Sequence, residues 1–213
     1  MRIRMLSLAV NALIVVIVLA AWLGMVFSVN ERGVLTSRGL HSLKYFTVLS
    51  NLLACAASAA YGVCLIRLMR SGAAVPRGVV VWKYAGTVSV ALTLATTALF
   101  LGPTARTGYL SMFQGVNFWL HLVAPALCIL DFCLWNPDGP MTLGDSLLAC
   151  APMALYAAYY VGNLLCNGIV GRGGRTNDWY GFAAGGWGMA GVAAAIICLA
   201  TWGMALLMRL PRK

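Results

Sequence analysis

Apolar residues run along this chain in six long stretches, at about 5–28, 42–69, 79–101, 116–135, 142–165 and 185–208. Short segments rich in glycine, proline and basic side chains separate them. Each stretch is close to the roughly 20 residues that an α-helix needs to cross a hydrocarbon core of about 30 Å. The connections are too short to hold a separate domain. The pattern therefore predicts an all-α polytopic membrane protein, a single bundle of six transmembrane helices over residues 1–213. Lys83 and Asp145 interrupt the starts of the third and fifth stretches, where a charged side chain either reaches the interface or pairs inside the bundle. The first stretch follows Arg2 and Arg4 and is longer than the core of a signal peptide, so it is expected to stay as the first helix.

Composition narrows the class further. Of 213 residues, 62% are hydrophobic and only 9% charged, whereas about a quarter of a soluble domain is charged. A soluble fold of this size and intrinsic disorder are both excluded. The net charge of +10 comes from 15 basic residues scattered between apolar runs, which make no stripe for nucleic acid. Nearly all of the seven cysteines lie inside apolar runs, with Cys166 at the end of one, and read as small apolar side chains. Cys128 and Cys133 lack metal-ligand spacing, and two histidines at different depths with scattered acids form no metal cage. With the N-terminus inside, the inner segments carry nine basic residues and the outer segments six, which places both termini in the cytoplasm.

Polar positions inside the runs carry the candidate chemistry. Thr47 and His121 each lie about five residues into stretches that start from the same side, roughly 7 Å deep at 1.5 Å per residue. A hydroxyl beside an imidazole is the minimum for nucleophilic attack on an ester. The same residues also serve a plain bundle, the histidine as an interhelical hydrogen bond and the threonine bonded to its own backbone. Asn51 is one turn from Thr47 on the same face, Ser50 shares part of it, and Asn117 is one turn above His121. These groups either support an oxyanion or a substrate, or hold helices together. Tyr156, Tyr160 and Asn163 share a stripe in the fifth span, and Thr93 and Thr97 another in the third. A polar pocket in the outer half of the bundle is expected, suited to an amphiphile whose tail stays in lipid. Asp131 lies roughly 15 Å beyond His121, too deep for a triad, and is expected to pair with Lys83 or Arg67. Asp145 suits the first turn of its helix.

Two segments resemble the androgen-induced protein family, in particular its bacterial Pr6Pr-type branch. They are Tyr45-Phe46-Thr47-Val48-Leu49-Ser50-Asn51-Leu52-Leu53 and His121-Leu122-Val123-Ala124-Pro125. Tyr156 to Asn163 and Trp179-Tyr180-Gly181-Phe182 stand where that family has a tyrosine-rich fifth helix and an aromatic-glycine segment. The resemblance implies a cofactor-free threonine hydrolase in the bacterial inner membrane, cleaving a lipid ester such as a fatty acid ester of a hydroxy fatty acid. Thr47 is then the nucleophile and His121 its base, with Asn51, Ser50 or Tyr160 at the oxyanion. The competing readings are a non-catalytic lipid-binding protein, or a small transporter in which Asp131 faces the pocket. A purely structural subunit, with His121 satisfied by a neighbour and no cavity, is the third.

Overall fold

Six long apolar helices, with no sheet among the described residues, make up the structure, a computed structural model that describes residues 1–27, 39–135, 139–171, 174 and 176–212. The helices are α1 (Arg2–Phe27), α2 (Phe46–Ser71), α3 (Arg77–Thr104), α4 (Val116–Trp135), α5 (Leu143–Asn167) and α6 (Trp187–Arg209). Arg32, Arg38, Asn136, Pro137, Asp138, Arg172, Arg175 and Lys213 lie outside the described residues, and with them much of the charge argument for sidedness.

Local chemistry sets the helix ends. Gly72 adopts the left-handed conformation (φ 73°), and its N–H bonds the Leu68 carbonyl at 3.0 Å, which closes α2. Pro76 then precedes α3. Thr142 and Asp145 form a reciprocal capping box at the start of α5, so Asp145 is a first-turn acid as expected. Helix α2 begins at Phe46, four residues later than the apolar pattern suggests. Gly39–Lys44 forms a separate 3-10 turn, and Tyr45 is extended (φ −90°, ψ 132°).

Prolines bend the remaining helices. Pro152 has no N–H to donate and splits α5 at Cys150 into Leu143–Ala149 and Ala151–Asn167. Wide π-turns at Thr97–Leu101 in α3 and Trp119–Val123 in α4 each end two residues before a proline, Pro103 and Pro125. A π-turn shifts the carbonyl that the proline ring would otherwise strike.

The outside of the bundle is apolar, and polar side chains of the spans are gathered into its otherwise apolar interior. Leu155, Ile196, Leu199 and Val192 are exposed, whereas Asn11, Lys83, Asp131 and Ser146 are buried. Helix α3 is central: 61% of its most apolar stretch is buried, against 17% for α6. Helices α2 and α3 approach so closely that a Cβ on Gly86 would lie 3.0 Å from the Ala54 Cα. The Tyr84 ring stacks on Phe132 at 5.1 Å, and its hydroxyl donates to the Ala205 carbonyl, joining α3 to α4 and α6.

Candidate functional site

Helices α2, α3, α5 and α6, with the loop before α6, enclose a chamber of about 50 Å³. Its polar side chains are hydroxyls alone: Thr47, Thr93, Thr96, Thr97, Tyr156 and Tyr180. Phe46, Leu92, Met153, Phe182 and Ile197 supply apolar walls. The chamber adjoins an apolar groove of about 320 Å³ between α3 and α6, lined by Leu99, Phe100, Ala193, Ile196 and Ala200 among others. Leu92, Thr96, Phe182 and Ile197 line both spaces. Leu99 and Ile196 are strongly exposed, so the groove faces the surroundings of the bundle, which for a spanning helix are lipid.

Three threonine hydroxyls in the chamber, those of Thr47, Thr96 and Thr97, make no hydrogen bond among the described residues. Thr97 is 1% exposed, and no group among the described residues bonds its Oγ1. No hydrogen bond among the described residues involves the Thr47 hydroxyl either; only its carbonyl is engaged, by Ser50 Oγ at 3.1 Å and Asn51 Nδ2 at 2.7 Å. The loop roofs the chamber with Tyr180 and Phe182. The Tyr180 hydroxyl accepts from the Phe46 N–H at 2.8 Å, satisfying one of the free donors at the start of α2. Burial pushes the Tyr180 phenol up to about 12, so it stays neutral.

Buried Asp178 pins this roof. It accepts from Phe182 N at 3.0 Å, from Ala183 N at 2.8 Å and from the Tyr160 hydroxyl. Tyr160 is thus engaged with the loop rather than free for an oxyanion. Tyr156 donates to the Lys44 carbonyl at 2.7 Å and accepts from Trp179 Nε1 at 3.1 Å. Asn163 donates to the Asn177 carbonyl at 3.4 Å and accepts from Asn167, so it ties the loop and does not line the chamber. Ser50 meets Thr93 at 3.0 Å and lines a separate cavity of about 310 Å³ between α2 and α5.

His121 is buried in the π-turn of α4 and is not among the residues lining the chamber. Its Nδ1 lies 2.8 Å from the Met112 carbonyl. A carbonyl only accepts, so Nδ1 carries a proton, and in the neutral tautomer the lone pair is then on Nε2. Among the described residues, no hydrogen bond joins His121 to Thr47. Asn51 connects their helices: its Nδ2 donates to the Leu120 carbonyl at 3.0 Å, and its Oδ1 has no partner among the described residues. Asn117 Nδ2 is a further buried donor without a partner among them.

Asp131 pairs with Lys83 at 3.2 Å, the first of the two partners expected from sequence. It does not line the chamber. Asn11 bridges the ions, with Nδ2 2.7 Å from Asp131 Oδ2 and Oδ1 accepting from Lys83 at 2.6 Å. Ser7 donates to Asp131 at 2.6 Å, and Lys83 donates to Ser58 at 2.8 Å. Sequence reasoning passed over Ser7, Asn11 and Ser58. A serine and an asparagine four residues apart in an apolar run share one face, and that spacing was the available signal.

No family model, curated protein or solved structure matches the chain. The geometry of the described residues therefore carries the functional reading.

Proposed function

We propose that this integral membrane protein binds an amphiphilic lipid within its bundle, with the polar group in the threonine-lined chamber and the hydrocarbon chain in the groove between α3 and α6. One observation carries this reading: the apolar groove and the hydroxyl-bearing chamber share Leu92, Thr96, Phe182 and Ile197 as a common wall. A groove of about 320 Å³ falls within the usual size of ligand pockets, and it is apolar with polar groups only at one end. The placement of Asp131 away from the chamber argues against the transporter variant.

The test is thermal stability of the detergent-purified protein titrated with a monoacylglycerol. Binding raises the melting temperature with ligand concentration. Ala200→Trp, which fills the groove from a lipid-facing position, abolishes the rise. A shift that is identical in Ala200→Trp, or no shift in either protein, overturns the reading.

A second reading is cleavage of the bound lipid's ester, as the resemblance to threonine hydrolases implies. It is favoured by the Thr47 hydroxyl, which lines the chamber without a partner. The His121 tautomer also leaves Nε2 as the basic nitrogen. In this reading Thr47 Oγ1 attacks the ester carbonyl while His121 takes its proton, the alcohol leaves, and water then releases the acid from Thr47. Labelling by a fluorophosphonate probe that is lost in both Thr47→Ala and His121→Ala supports it. Absence of labelling in the native protein, where a control shows that the probe reaches the chamber, rejects it. For orientation we propose cytoplasmic termini in a bacterial inner membrane, supported by Arg2, Arg4 and Arg209 at the chain ends. Reporter fusions at the C-terminus, fluorescent inside and enzymatically active outside, test that assignment.

A further inference from the structure

We infer that the chamber selects an uncharged head group, so that the ligand is a single-chain alcohol, ester or amide rather than a carboxylate or phosphate. This inference rests on the amphiphile-binding reading above and specifies its ligand.

The lining is the first argument. Six hydroxyl side chains contribute its polarity, and among the described residues no lysine, arginine, histidine, aspartate or glutamate joins them. A hydroxyl both donates and accepts, so the Thr47 and Thr97 side chains can bond a neutral alcohol or carbonyl from either side. An anion buried there meets no cation, and removing a charge from water without a partner is far more costly than removing a hydroxyl. Lys44, in the turn before α2, does not fill that role. Its ammonium lies over the rings of Tyr45 at 5.0 Å and Trp179 at 5.6 Å, and it does not line the chamber.

The second argument is the unpartnered Thr97 hydroxyl. A hydroxyl at 1% exposure without a hydrogen bond is a standing cost to the fold. Threonine in a helix ordinarily bonds the carbonyl one turn back, as Thr87 and Thr201 do here. Thr97 instead opens the π-turn of α3 and lines the chamber. A chamber of about 50 Å³ exceeds the roughly 10–15 Å³ that one small polar group of water size needs. One neutral head group fits, and Thr97 and Thr47, which both line the chamber, are hydroxyls available to bond it. The chain behind it lies in the groove, which opens to lipid beside Leu99 and Ile196 and admits the ligand from the bilayer.

Photoreactive alkyne analogues of hexadecanol and hexadecanoate, matched in chain and diazirine position, test this on the full chain in nanodiscs. Labelled peptides are mapped by mass spectrometry. At a pH near 9, where the acid is ionised, hexadecanol labels α3 and α6 about tenfold or more above hexadecanoate. At a pH near 5, where desolvation in the bilayer interface raises the carboxyl enough to keep it largely neutral, the difference between the two probes shrinks. Thr97→Val keeps the side chain's shape, removes no described hydrogen bond and lowers hexadecanol labelling. Equal labelling by alcohol and anion near pH 9 overturns the head-group inference and leaves the amphiphile reading standing. Labelling of α3 and α6 by neither probe above the Ala200→Trp background overturns both.

Discussion

Lys83 Nζ and the Asp131 carboxylate lie 3.2 Å apart with both side chains shielded almost completely, so an ion pair sits in the middle of an apolar bundle. Each ion also has hydrogen bonds besides the pair: Lys83 donates to Asn11 and Ser58, and Asp131 accepts from Ser7 and Asn11. Breaking one side leaves the other charge buried and unpaired. Asp131→Asn or Lys83→Met is expected to cost about 3–5 kcal/mol. Lys83→Met combined with Asp131→Leu costs much less than the sum of the single losses, because no charge is stranded. Denaturation of the purified protein in mixed micelles measures each term.

Asn11 is the residue that links the two ions through one amide. Replacing it by leucine keeps the bulk and removes bonds to both. The expected loss is about 1–3 kcal/mol, smaller than removing an ion because the Lys83–Asp131 contact persists. The same denaturation assay orders Asn11→Leu between wild type and Asp131→Asn.

The contact of α2 with α3 depends on a missing side chain. Gly86→Ala places a methyl 3.0 Å from the Ala54 backbone, which has no flexible end to move. A loss of about 1–3 kcal/mol follows. Gly78→Ala, with nothing within 4 Å of its Cβ, is neutral or slightly stabilising. Equal melting temperatures for the two variants would contradict the close packing.

Asp178 holds the chamber roof through three donors. Asp178→Ala strands the Phe182 and Ala183 amides and the Tyr160 hydroxyl. Amide exchange across residues 178–184 is expected to accelerate, with a local stability loss of about 1–3 kcal/mol. Exchange in α1, which contributes no group to the roof, stays at its native rate.

The six spans were legible because apolar length alone signals a lipid-crossing helix, whereas their irregularities were not. Tyr45 looks like part of the second apolar run. Only the Tyr180 hydroxyl, 134 residues from Phe46 along the chain, shows why the helix starts after it. Pro125 and Pro103 are visible in the sequence, but a proline can kink, break or widen a helix, and packing decides which. Thr47 was legible as a candidate because it lies about as deep as His121 in a span that starts from the same side. The residues around it on α3, α5 and the loop come together only through tertiary folding. His121 stood out equally, yet its hydrogen bond runs to the Met112 carbonyl nine residues away, a contact that no helical spacing encodes.

Helix α6 buries little of itself, and it forms one bank of the groove that reaches the chamber. On its open side that groove is completed by the acyl chains of whatever membrane surrounds the protein. The site therefore has one fluid wall. In the proposed lipid-binding reading, changing the thickness or unsaturation of the host bilayer alters the shape of this wall without touching a single residue, and occupancy is expected to respond to membrane composition as well as to mutation.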